Sequence, residues 1–330
     1  MENTIEKMLT LFATNTQVIK KEFSWQNSLT RKLAALFYAK EDKLIDCEAI
    51  HQCYTIIKQS TGAFSVFRGD MVLFVSALLS LSPDPLRLFE DTLKAFSMMK
   101  EAKFRNSYYL AVAAYQIAAQ VNSAQYSDVI ARTRAFYNGM KSNHFFQTGQ
   151  DDYIYAVMLG LSDLNVAAGV ERVDRIYNRL KGEFSDKNSV QALAQVLVLS
   201  SKDDEIVNRV LSLRDVFKAR RIKLDKSYTL PSLGILAMLP VEDSILIRDI
   251  EEAQVTLRAQ KGFGTWSATS IEVLLFATAA VANSYARNIA DDVLSAALST
   301  SIANIIIAEQ AAMVAIIAAS SSAASASASS

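Results

Sequence analysis

PDPLRLFEDTLKAFSMMKEAKFRNSYYLAVAAYQIAAQ, residues 83–120, holds two helices of unlike character. In the first, Leu86, Phe89, Leu93, Phe96 and Met99 recur at three- and four-residue steps, with Arg87, Glu90, Asp91, Lys94 and Lys100 between them. That spacing gathers the apolar side chains on one stripe and leaves the charges facing water. The second, 107–120, has no Asp, Glu, Lys or Arg. A helix that is apolar all round is buried all round. The stretch reads as a hairpin with an outer, solvated helix (A) and an inner, buried one (B).

The same grammar recurs along the chain with a period of about 40 residues, as in helical repeat proteins. The units are 4–43, 44–82, 83–120, 121–162, 163–201, 202–241 and 242–283. Ile206, Val210, Leu213 and Phe217 make the apolar stripe of the sixth A helix, and segments 71–82, 189–200 and 228–240 repeat the charge-free B helix. A small residue stands at one place in every B helix: Ala34, Ser76, Ala113, Ala156, Ala194, Gly234 and Ala277. Small side chains let packed helices approach closely. Phe23, Phe64, Phe104, Phe145, Phe184, Ile222 and Phe263 close the A-to-B turns and are expected to plug the corners.

The expected fold is all-α, seven tandem hairpins in one domain over 1–319, with an extra apolar helix at about 291–319 and a disordered Ser/Ala tail at 320–330. An α/α toroid is favoured over an open α-solenoid, because groove-lining helices of a solenoid usually carry polar residues and these B helices are too apolar for that. Glu309 and Gln310 interrupt the last apolar segment, and no Lys or Arg follows it, so a membrane span is not expected.

Composition narrows the function classes. Apolar residues make up 51%, with 10 Gly and 4 Pro, which suits helices joined by short loops. Lys and Arg (34) balance Asp and Glu (34), and the one basic cluster, Lys218, Arg220, Arg221 and Lys223, ends an A helix, where cations complement the dipole. Nucleic acid is therefore not an expected partner. The first residues, rich in charge, form no secretory signal, and two cysteines make no disulfide framework, so a cytoplasmic setting is expected. Cys47 and His51 share a helix face, but two ligands do not make a zinc site. No metal or cofactor is expected.

The A-to-B loops surround the N-termini of the B helices, whose free N–H groups attract anions. Candidate ligand-binding residues there are Arg68, Asp70, His144, Asp152 and Trp266. Arg68 lies between Phe67 and Gly69 before an apolar helix, where a guanidinium needs a ligand or an ion pair such as one to Asp70. His144 precedes Asp151 and Asp152 by a few residues, a spacing open to acid–base work. Asp70, Asp152, Asn106, Asn188, Ser227 and Thr269 also suit helix N-caps. Glu272 sits at the first turn of an otherwise apolar helix. No phosphate loop, nucleophile elbow or His-Glu-x-x-His motif occurs.

Gly62-Ala-Phe-Ser-Val-Phe-Arg-Gly69 ahead of an apolar helix, Lys21-Glu-Phe-Ser-Trp25 with Leu33-Ala-Ala-Leu36, and Glu309-Gln-Ala-Ala-Met313 together resemble an uncharacterised bacterial family, domain of unknown function four thousand and three. The resemblance spans nearly the whole chain and implies no activity or catalytic residue. Two functions stand: an interaction or scaffold protein with an unidentified protein partner, and an enzyme or binder of a small anionic ligand at the loop rim. Self-association stays open.

Overall fold

The structure, a computed structural model, describes residues 2–69, 71–200, 203–225 and 229–288. Asp70, Ser227, the segment 291–319 and the tail 320–330 lie outside the described residues. The described chain is all-α, with fourteen α-helices, one 3-10 turn and no strand. The helices are α1 Glu2–Glu22, α2 Ser28–Lys40, α3 Cys47–Ser60, α4 Met71–Ser80, α5 Pro85–Glu101, α6 Tyr108–Gln120, α7 Tyr126–Asn143 and α8 Asp152–Leu161. They continue with α9 Val166–Leu180, α10 Lys187–Ser200, α11 Ile206–Ala219, α12 Leu230–Met238, α13 Asp243–Ala259 and α14 Ser270–Asn288. Odd-numbered helices correspond to the A pattern and even-numbered ones to the B pattern.

The chain sorts into two compact units. Among the described residues, one holds Thr14–Arg134 and Gln150–Leu161; the other holds 2–13, Ala135–Gly149 and 162–288. In the former, α3 packs on α4 and α5 on α6, while α2 meets α4, α6 meets α8, and α3 meets α5. In the latter, α9 packs on α10, α11 on α12 and α13 on α14, while α10 and α14 both meet α12 and α9 meets α11. A helices thus neighbour A helices, and B helices neighbour B helices.

Burial follows the charge pattern. Met71–Leu79 of α4 and all of α12 are buried, whereas α11 buries only Val207, Val210, Leu213 and Phe217. The seven small B-helix residues are all buried. At Gly234 the approach is close: a Cβ there would lie 2.7 Å from Leu193 and 3.1 Å from Val196.

Capping defines the helix starts. Asp46, Asp84, Ser107 and Asn165 each accept from a backbone N–H in the first turn that follows. The cap before α6 is Ser107 rather than Asn106, and before α10 Asp186 accepts from the Asn188 and Ser189 amides. Thr269 and Glu272 form a reciprocal capping box, so Glu272 is committed to the α14 first turn.

Two A helices end in left-handed turns that aim the following residue inward. Lys103 has φ 68° and Arg221 φ 61°, and Phe104 N donates to Met99 O (3.1 Å), as Ile222 N does to Phe217 O (2.9 Å). This six-to-one bond is the Schellman closure, which brings the residue after the turn back onto the helix.

The plug expectation needs correction at two corners. Phe23, Phe104, Phe184, Ile222 and Phe263 are buried, but Phe64 is fully exposed and Phe145 is 65% exposed. In the longer α3–α4 connection, Phe64 stands within a turn closed by Ser65 N to Gly62 O, and Phe67 enters instead, edge-on to Phe89 and Phe96. After α7 the first residue past the helix faces inward, and that residue is His144.

Arginines brace the B-to-A turns. Arg132 Nε donates to Gly160 O (2.9 Å), and Arg209 donates to Leu239 O and Val241 O. Arg172 and Arg175 each donate from Nε to one oxygen of Asp204, at 2.8 Å. Partial burial pushes the Asp204 carboxyl up, but the two guanidiniums outweigh it and hold the group below the usual carboxylate range.

Candidate functional site: the hairpin corners

Each A-to-B corner turns one bulky side chain inward, and several of them leave an aromatic in water. Among the described residues the exposed large aromatics are Trp25, Phe64, Phe145, Phe146 and Trp266, and all five stand in these corners. Leaving them out of the core forgoes roughly 1.5–3 kcal/mol each.

In the unit Thr14–Arg134 with Gln150–Leu161, the first corner turns Phe23 in and leaves Trp25 66% exposed. Arg31 Nη1 reaches back to the carbonyls of Ser24 (2.9 Å) and Phe23 (3.4 Å). At the second corner Phe64 projects outward. Arg68 Nε donates to Thr61 Oγ1 (3.1 Å), and its Nη2 donates to the carbonyls of Lys58 and Thr61. These are acceptors that the end of α3 leaves unpaired, so Arg68 serves as a C-terminal cap for that helix. Gly69 follows at φ 63°, a backbone state that costs glycine least.

At the third corner Phe104 is edge-on to Tyr153 at 4.9 Å, and Arg105 N donates to Tyr153 Oη (3.2 Å). Asp152, the first residue of α8, is buried there, where the helix dipole favours a carboxylate. Burial, helped by Asp151, pushes the nearby Tyr109 hydroxyl up to about 12.

In the other unit, the corner after α7 is built around His144. Its Nε2 lies 2.9 Å from Asp174 Oδ1 on α9, and its ring sits 4.1 Å from that of Tyr177. Its carbonyl accepts from Gln147 N, Thr148 N and Thr148 Oγ1, and Thr148 Oγ1 accepts in turn from Gln191 Nε2 (3.0 Å). Phe145 and Phe146 project from this frame as an edge-on pair, ring centroids 5.4 Å apart, with Lys141 Nζ 5.4 Å from the Phe145 ring. Burial lowers the His144 pKa below its ordinary value; Asp174 opposes the shift and Lys181 adds to it.

The corner before α14 turns in Phe263, which packs edge-on against Phe12 and Phe276, and leaves Trp266 fully exposed. Arg258 Nη1 donates to Phe263 O (2.9 Å) and Ala268 O (2.8 Å), and its Nη2 donates to Ser270 Oγ.

The candidates thus fall on separate corners. Arg68 and Asp152 belong to one unit, on different corners; His144 and Trp266 belong to the other, likewise apart; Asp70 lies outside the described residues. His144 pairs with Asp174, a residue 30 positions downstream of it in sequence that only the packing of α9 reveals. The signal that sequence reading missed is Arg31 and Arg258: each lies a few residues from its corner but looks like any surface cation.

A groove of about 310 Å³ lies between α1 and α13, lined by Ile5, Leu9, Ala253 and Thr256 with the carboxylates of Glu6, Asp249 and Glu252. Asp249 is already bound by Arg248 and by the Tyr285 hydroxyl. None of the corner candidates lines it. Among the described residues no group of three or more His, Cys, Asp or Glu is poised to hold a metal ion. Burial pushes both thiols up, Cys53 to about 11, so neither is an activated nucleophile. No helix among the described residues is long and apolar enough to cross a membrane.

The helices of the described residues define the class as an all-α protein. The chain belongs to the family described as "Protein of unknown function (DUF4003)", whose model matches residues 15–311. It is similar to the "Uncharacterized protein YeaA" of Bacillus subtilis (strain 168), 20% identical over 306 residues that cover 90% of each chain. No solved structure matches it.

Proposed function

We propose that this is a cytoplasmic interaction or scaffold protein that engages a protein partner through its exposed hairpin corners. The observation carrying this reading is that Trp25, Phe64 and Trp266 stand on loops pinned by Arg31, Arg68 and Arg258, while Phe145 and Phe146 stand on a loop pinned by His144 and Thr148. An aromatic on a braced loop loses little entropy when a partner covers it, and Trp and Phe supply large contact areas. The reading of a rim that binds a small anion is the less favoured one, because Arg68, its strongest candidate, spends its donors on the α3 end.

We read the hairpins as one repeat domain over 1–319, closing as an α/α ring. Contacts between the first helix and the last hairpin support this: Phe12 lies on Phe263 and Phe276, and Asn283 Nδ2 faces Met8 Sδ.

A photo-crosslinking residue placed at 146 or at 266 tests the interaction reading in the native host. Discrete protein adducts at both sites, absent from a control at the exposed outer-helix residue Val255, are expected. Adducts no more frequent at the corners than at 255 would overturn it.

A further inference from the structure

The corner after α7 differs from its counterparts in one respect. Where the others insert Phe23, Phe67, Phe104, Phe184, Ile222 or Phe263, it inserts an imidazole that is only 9% exposed. The next two residues are the exposed Phe145–Phe146 pair, and the loop's other tie is the Thr148–Gln191 hydrogen bond. We propose that this corner is an acid-sensitive device: proton uptake by His144 expels the imidazole from its slot and re-sets the Phe145–Phe146 pair.

The charges around the slot decide the direction. From α9 it is faced by Asp174, by the Tyr177 ring and, further off, by Lys181; its own helix α7 brings Lys141; α10 presents the neutral Gln191 and Gln195. A neutral imidazole fills the slot as a phenyl ring does elsewhere, with Nε2 2.9 Å from Asp174 Oδ1. An imidazolium must give up water in a pocket built for an aromatic plug, with Lys181 repelling it. Asp174 is itself 37% exposed in its side chain, so the cation keeps that partner at least cost by following it outward. Outward motion of residue 144 drags the adjoining phenylalanines with it. Because the folded pKa is depressed, the stability that neutral His144 contributes is present above its ordinary value of about 6.5 and is lost as pH falls through the folded value.

The inference deepens the interaction reading by regulating one of its corners, but it is tested on the isolated chain. A corner that switches without any partner, or a partner that binds a corner that does not switch, would separate the two. The test places one tryptophan at the corner, Phe146→Trp, with Trp25 and Trp266 changed to Phe, and follows its emission and acrylamide quenching from pH 7.5 to 4.5. A sigmoidal change with a midpoint below about 6.5 is expected, coincident with titration of the His144 ring proton by NMR. The same chain with His144→Phe should be flat over that range. Asp174→Asn, which removes the carboxylate that opposes the shift, should move the midpoint to lower pH and keeps the test alive should His144→Phe misfold. A change that persists in His144→Phe, a midpoint that Asn at 174 leaves in place or raises, or a silent tryptophan while the ring titrates would each overturn the proposal.

Discussion

Gly160 shows how closely single residues are fitted. A Cβ there would lie 2.9 Å from the Thr133 amide nitrogen and 3.1 Å from its Cα, while the Thr133 hydroxyl is tied to Val129 O and the Gly160 carbonyl to Arg132. Neither neighbour can yield without breaking a hydrogen bond. Gly160→Ala is therefore expected to destabilise the chain by about 1–3 kcal/mol, read as a lowered denaturant midpoint at unchanged slope. Residue-scale roles were the least legible in the sequence. Arg68 stood out because a guanidinium between Phe67 and Gly69 needs acceptors, but those acceptors are carbonyls at the end of α3, which no local pattern announces. His144 stood out for its neighbours Asp151 and Asp152, whereas the partner it meets is Asp174. Side-chain partners of this kind depend on tertiary packing, and sequence proximity is a weak guide to it.

Helices themselves were legible because their signal is redundant. Each A stripe repeats its period over several turns, and segments 71–82, 107–120, 189–200 and 228–240 repeat the absence of charge. The small residue in each B helix was legible for the same reason, and Ala113 and Ala194 are both fully buried. Replacing either with Leu forces extra methylenes into a filled layer, and Ala113→Leu and Ala194→Leu should each cost about 1–3 kcal/mol by thermal or chemical unfolding. Unchanged midpoints in both would contradict the packing of α6 and α10. Corners were harder to read because they contain two or three aromatics and one slot. Hydrophobicity does not rank Phe64 against Phe67, and it ranks Phe145 above His144, the reverse of their burial. The choice falls to loop length and to closures such as the Lys103 and Arg221 left-handed turns, and a lysine or arginine at φ above 60° carries no sequence mark.

At the scale of the molecule, the all-α class and the family follow from features spread over hundreds of residues, so they survive local misreadings. What the corners expose concentrates in a few side chains. Both tryptophans of the chain, Trp25 and Trp266, stand in corners, so tryptophan emission excited selectively at the red edge reports on the corners. These aromatics are presented outward on braced loops. The most direct test measures acrylamide quenching and time-resolved anisotropy of Trp25→Phe and Trp266→Phe, each leaving one tryptophan. The expected result is near-free quenching together with anisotropy that decays at the rate of the whole molecule: exposed, yet fixed. A tryptophan shielded from quencher, or one that rotates freely as on a slack loop, would contradict it.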